Sequence, residues 1–150
     1  MKILIINGPN LNMLGIREPA IYGSNTYQDL CDMIEEHAKS IGVEVELFQS
    51  NHEGALVDAI QAAFGEVQGI VINPGAYTHT SVALLDAVKT VGIPTVEVHI
   101  SDPDTREEFR RISYIRQGCV ATVKGKGLPG YLEAMDLLAQ DRQNCTMYTN

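Results

Sequence analysis

The sequence predicts a three-layer α/β domain in which a five-stranded parallel sheet, ordered 2-1-3-4-5, is covered by helices on both faces. Two observations carry this reading. Short apolar runs alternate with helical patterns along the 150 residues, and the runs are rich in β-branched residues and bounded by Gly, Pro, Asn or Ser. Strict alternation of strand and helix implies parallel strands joined by crossover helices. Five strands in a chain of this length fit the flavodoxin-like order.

Each element can be justified in turn. "KILIIN" (2–7) is a near-continuous apolar run, as expected of a strand buried on both faces. It empties into a long loop, "NLNMLGIREPAIYG" (10–23), before a helical pattern from Tyr27 to Gly42. "VEVELFQ" (43–49) alternates in polarity, which suits the edge position that the order assigns to the second strand. A helix over Gly54 to Gly65 leads to the strand "GIVINP" (69–74), and a helix over Thr80 to Gly92 leads to "TVEVHIS" (95–101). A short helical stretch near Arg106 to Ser113 precedes "CVATVKG" (119–125), and a last helix runs from Leu128 to about Gln140. The tail 141–150, "DRQNCTMYTN", is polar and is expected to fray. No linker or low-complexity tract divides the chain, so residues 1–150 read as a single domain.

Composition excludes several function classes. A net charge of −8 with no basic stripe longer than Arg110-Arg111 disfavours nucleic acid. The first residues carry neither a secretory signal nor a membrane-spanning run, and the three cysteines, Cys31, Cys119 and Cys145, show no CxxC spacing. The expected setting is the reducing cytoplasm, with neither disulfide framework nor zinc site. His37, His52, His79 and His99 lie on separate segments without HxxxH spacing, so no metal is expected.

Ligands of open α/β sheets bind beyond the carboxyl ends of the strands, where the strand order reverses. That crevice collects Asn7, Asn10 and Asn12 from the first strand end, Asn73, Tyr77 and His79 from the third, and His99 and Ser101 from the fourth. Arg17 and Tyr22 can fold over it. The pocket is polar and mostly neutral. A phosphoacceptor domain would need carboxylates at the strand ends that carry Asn7 and Asn73. No GxGxxG or GxxxxGK[ST] is present, and "NGPNLNMLG" is unlike a flavin phosphate loop. No lysine reads as buried, so no Schiff-base mechanism is expected.

Acid–base chemistry by His99 and Tyr22 remains, beside the alternative that the first is a satisfied turn residue and the second caps the loop. Lowering a tyrosine from its ordinary pKa of about 10 to near 7 takes roughly 4 kcal/mol. One arginine about 4 Å away supplies roughly that much at an effective dielectric near 20. Arg17 lies five residues from Tyr22. A silent binding module of the same fold and a flavin-dependent electron carrier are the competing classes.

Five segments, "NGPNLNMLGIREPAIYG", "QSNHEGALVDAI", "INPGAYTHTSVALLDA", "VEVHISDPDTREEFRRISY" and "GKGLPGYLEAM", occur in this order between residues 1 and 140. Together they resemble the type II 3-dehydroquinases, the 3-dehydroquinate dehydratases of the shikimate pathway. The resemblance implies a hydro-lyase that eliminates water from 3-dehydroquinate in the anti sense, through an enolate and without a cofactor. It implies Tyr22 as the base at C2, Arg17 as the neighbour favouring its phenolate, and His99 as the acid at the C1 hydroxyl, supported from "NHEG" by Glu53. Asn10 would stabilise the enolate through an ordered water. Asn73, Ser101 and the backbone N–H of Ile100 would hold the substrate carboxylate. His79, Arg110 and Asp86 would bind ring hydroxyls, Asp86 from an adjacent subunit of a dodecamer built as a tetramer of trimers. The sequence departs from the family's habit at Ile112, where histidine is frequent, and at Ala55 and Ala59, where bulkier or acidic residues are frequent.

Overall fold

The computed structural model of the chain describes residues 1–16, 20 and 24–147, with side chains as far as Arg142. Five parallel strands form one sheet: β1 (Lys2–Asn7), β2 (Glu44–Gln49), β3 (Gly69–Asn73), β4 (Thr95–His99) and β5 (Ala121–Lys124). Their order is β2-β1-β3-β4-β5, as the alternation predicts. The helices are α1 (Tyr27–Ile41), α2 (Glu53–Ala62), α3 (Val82–Val91) and α4 (Pro129–Met147).

Strand periodicity sorts the core into two halves. Side chains on a strand alternate between faces, so Ile3 and Ile5 join Val71, Val96 and Val98 beneath α1 and α4, where Leu30, Ile34, Met135 and Leu138 meet them. Leu4, Ile6, Ile70 and Ile72 point the other way, onto Leu56 and Ile60 of α2 and Leu84 and Val88 of α3. Complete burial of each such aliphatic side chain contributes about 1.5–3 kcal/mol. No residue of β2 is fully buried, and Glu44 to Leu47 alternate between exposed and half-buried, as suits an edge strand.

Two expectations fail. The stretch Arg106 to Ser113 forms only a 3₁₀ turn, Glu108–Arg110. Its apolar residues, Phe109 and Ile112, are exposed, so no buried face is available to stabilise a helix. Conversely, α4 runs on to Met147, past the end expected near Gln140. Helix propagation needs no apolar face once a preceding helix has been docked, and Gln, Arg and Asp carry no helix-breaking proline or glycine.

The ends of β1 and β3 meet closely. Asn7 and Asn73 are register partners, and the Gly8 N–H donates to the Asn73 carbonyl over 2.8 Å. A Cβ on Gly8 would stand 2.4 Å from the Pro74 carbonyl oxygen, so only glycine permits the approach. Two residues on, Asn10 takes φ 70, where asparagine is among the few tolerated side chains. The strand-end loops therefore lie side by side over the sheet.

Candidate active site

A pocket opens at the carboxyl end of the sheet where these loops part. Its lining includes Asn10, Asn73, His79, His99, Ile100, Ser101 and Arg110, all singled out in the sequence, together with Leu11, Leu14 and Arg106. Three strand ends thus converge as the strand order requires. Arg17 and Tyr22 lie outside the described residues. Asp86 is an exposed residue of α3 and does not line the pocket.

His99 ends β4 and is 7 % exposed. Its Nε2 stands 2.8 Å from Oε1 of Glu97, two residues back on the same strand face. Glu97 is wholly buried and accepts hydrogen bonds from every side. Thr78 and Ser113 reach Oε1 over 2.7 and 2.5 Å, and Arg116 and Thr122 reach Oε2 over 3.0 and 3.1 Å. Burial pushes the Glu97 carboxyl up, but the hydrogen bond and charge of His99, with the Ser113 and Thr78 hydroxyls, outweigh it and hold the carboxyl far below the ordinary range. An ionised carboxylate only accepts, so His99 Nε2 carries a proton and Nδ1 is the nitrogen left for a ligand.

The support for His99 therefore comes from Glu97, not from Glu53. Glu53 is the first residue of α2, and no hydrogen bond to His99 is found for it among the described residues. Alternation is the reason: residues 97 and 99 share a face by strand geometry, whereas Glu53 begins a helix on another segment. A carboxylate in the middle of "TVEVH" was the available signal, because a buried charge in a central strand must be paired.

His79 presents the opposite tautomer. Its Nδ1 lies 2.6 Å from the Ile112 carbonyl, which can only accept, so Nδ1 bears the hydrogen and Nε2 keeps its lone pair. Burial lowers its pKa, the bond to Ile112 opposes that, and the charges of His99 and Arg110 lower it further. Arg110 lines the pocket while its Nε donates to Glu107 over 2.8 Å, so the pocket contact and the helix-type (i, i+3) pair coexist. Asn73 likewise serves its turn, accepting from the Gly75 N–H over 3.1 Å, and still lines the pocket. The pocket's cations, Arg106 and Arg110, make it locally attractive to an anion in an acidic protein.

The lysines keep their charge or their exposure. Ion pairing with Glu46 raises Lys2, and with Asp104 and Asp102 raises Lys124; Lys39, Lys89 and Lys126 are exposed. No helix among the described residues is long and apolar enough to cross a membrane.

Comparison with known proteins agrees with this geometry. The family model described as dehydroquinase class II matches residues 1–139. The chain is 55% identical over 138 residues to a 3-dehydroquinate dehydratase of Clostridium acetobutylicum, covering 92% of this chain and 96% of that one. It is 56% identical over 138 residues to a catabolic 3-dehydroquinase 1 of Aspergillus terreus, covering 92% of this chain and 91% of that one. The crystal structure of a type II dehydroquinase from Butyrivibrio crossotus superposes with a TM-score of 0.91 at 56% identity, over 92% of this chain and 97% of the other. Match and superposition alike span nearly the whole fold and the pocket within it, and the chain belongs to the class II dehydroquinase family.

Proposed function

We propose that the protein is a 3-dehydroquinate dehydratase that works by acid–base chemistry alone, removing water from 3-dehydroquinate to give 3-dehydroshikimate. The observation that carries this reading is His99, held by an ionised Glu97 through one ring nitrogen and lining a pocket that also contains arginine. Tyr22, as a phenolate favoured by Arg17, takes the C2 proton; both assignments rest on the family resemblance. The C2 electron pair moves onto the ketone as an enolate, which Asn10 stabilises through a water. When the enolate collapses, the C1–O bond breaks, and the proton on His99 Nδ1 leaves with the hydroxyl as water. The anti geometry places base and acid on opposite faces of the ring.

Oxyanion stabilisation is the larger energetic term for so weak a carbon acid. Asn73, Ser101 and the Ile100 N–H take the substrate carboxylate, and the His79 lone pair and Arg110 take ring hydroxyls. Asp86 enters from an adjacent subunit of a dodecamer, which accounts for its position on the outer face of α3. The enzyme acts in the cytoplasm. Relatives include one named for catabolism, so both biosynthetic and degradative flux are compatible with the site.

The test is direct. Purified protein mixed with 3-dehydroquinate should generate the ultraviolet absorbance of a conjugated enone; no change at high protein concentration would refute the proposal. Light scattering should report a dodecamer, and a fully active monomer would remove Asp86 from the site.

A further inference from the structure

The segment "GKGLPGYLEAM" is one of the five that carry the family resemblance, yet no residue of it lines the pocket. Its third helical residue, Tyr131, is wholly buried, and its hydroxyl lies between the two asparagines that end β1 and β3. It donates to Asn7 Oδ1 over 2.6 Å and accepts from Asn73 Nδ2 over 2.9 Å. We propose that Tyr131 is a positioning residue for the substrate carboxylate, acting through Asn73. This deepens the reading given under the proposed function and rests on Asn73 being a carboxylate ligand.

The Gly75 N–H fixes which way the Asn73 amide faces. The Gly75 N–H can only donate, so it takes Asn73 Oδ1 and turns Nδ2 the other way. One Nδ2 hydrogen then goes to the Tyr131 oxygen. That oxygen has room for it because the single phenolic proton is committed to Asn7. The other Nδ2 hydrogen of Asn73 is left for the pocket that Asn73 lines. Without Tyr131 the Asn73 amide keeps one anchor, Gly75, and can swing about it. Burial suits the role: desolvation pushes the Tyr131 phenol well above its ordinary pKa despite the Asn73 bond, so it remains a neutral donor.

The same segment also braces the other side of the carboxylate site. The Gly127 N–H donates to the Ile100 carbonyl over 3.0 Å and the Gly125 N–H to the Ser101 carbonyl over 3.2 Å. Both glycines have positive φ, 66° and 73°, which few other residues adopt. One short segment therefore hydrogen-bonds to Asn73, Ile100 and Ser101, the three residues assigned to the substrate carboxylate.

Tyr131→Phe should raise KM about tenfold, as expected for loss of one orienting hydrogen bond, with kcat falling by less. In an Asn73→Ala background the same change should have no further effect on KM, because the group it positions is gone. Titration calorimetry with quinate, a stable cyclic carboxylate, should show the same pattern in Kd. Additive effects, an unchanged KM, or equal losses in KM and kcat would overturn the proposal. Asn7→Ala provides a second test if Tyr131→Phe does not fold. Asn7 does not line the pocket, and its loss frees the phenolic proton to compete for Asn73, so KM should again rise; an unchanged KM would count against the relay. A wild-type protein that forms no enone would sink the dehydratase reading instead, leaving the relay to be judged by quinate binding alone.

Discussion

Among the described residues, two histidine–carboxylate pairs have almost equal lengths. His37 Nε2 lies 2.7 Å from Asp136 Oδ1, joining α1 to α4, and His99 Nε2 lies 2.8 Å from Glu97 Oε1 at the end of β4. Their settings differ. The side chains of the first pair are 20% and 42% exposed, and those of the second 8% and 0%. Glu97 also collects Thr78, Ser113, Arg116 and Thr122, donors from three further segments. Contact distance alone therefore says little about role. What separates a pair that ties two helices together from one that can hold a proton for a ligand is exclusion of water, together with enough donors to keep the carboxylate charged.

The largest effect that would sharpen this contrast is on turnover. His99→Gln should lower kcat by roughly 10²- to 10⁴-fold in the enone assay, the range typical of a lost general acid. His37→Gln should stay within about twofold, and comparable losses in both variants would erase the distinction.

Next comes Glu97→Gln. Its amide puts a donor where Arg116 or Thr122 already donates, so kcat should fall about 100-fold, and the disrupted buried pair should cost about 3 kcal/mol in urea denaturation. A variant as stable as wild type would show that the surrounding donors contribute little.

The pH dependence of that difference has a defined sign. The Glu97 carboxyl lies far below its ordinary value in the folded protein, with His99 and the hydroxyls overcoming burial. Its contribution is therefore complete above the unfolded value of about 4.3, and it is lost as the pH falls towards the folded one. The gap in urea midpoint between wild type and Glu97→Gln should be constant above about pH 5 and narrow below about pH 4. A gap that widened on acidification would reverse the assignment.

The smallest expected change is at the other pair. Asp136→Asn should alter stability by less than about 1 kcal/mol, and by still less in high salt, because that pair is partly solvated and screened. A loss as large as that of Glu97→Gln would mean that exposure is a poor guide to the value of these pairs.

Much of this architecture is legible in the sequence, and the exceptions have physical causes. The strands could be read because β-branched apolar runs bounded by turn residues have few other uses. Asn10, Asn73, His79, His99, Ile100, Ser101 and Arg110 fall into one pocket because parallel strands place all their carboxyl ends on one edge. The helix expected near Arg106 to Ser113 is only a 3₁₀ turn, because docking, which the sequence does not show, decides whether a turn has a face to bury. Glu97 was visible as a charge inside an apolar strand, but its partners were not.

The sequence by itself determined the strand order, the edge on which the site would lie and the residue types gathered there, since these follow from local periodicity and from the handedness of crossover connections. Only the tertiary structure decided which carboxylate serves His99, which tautomer each histidine presents, and that Tyr131 meets Asn7 across 124 residues of chain. Hydrogen bonds are directional and short-ranged, so their partners are chosen by packing, and packing brings together residues whose separation along the chain carries no signal.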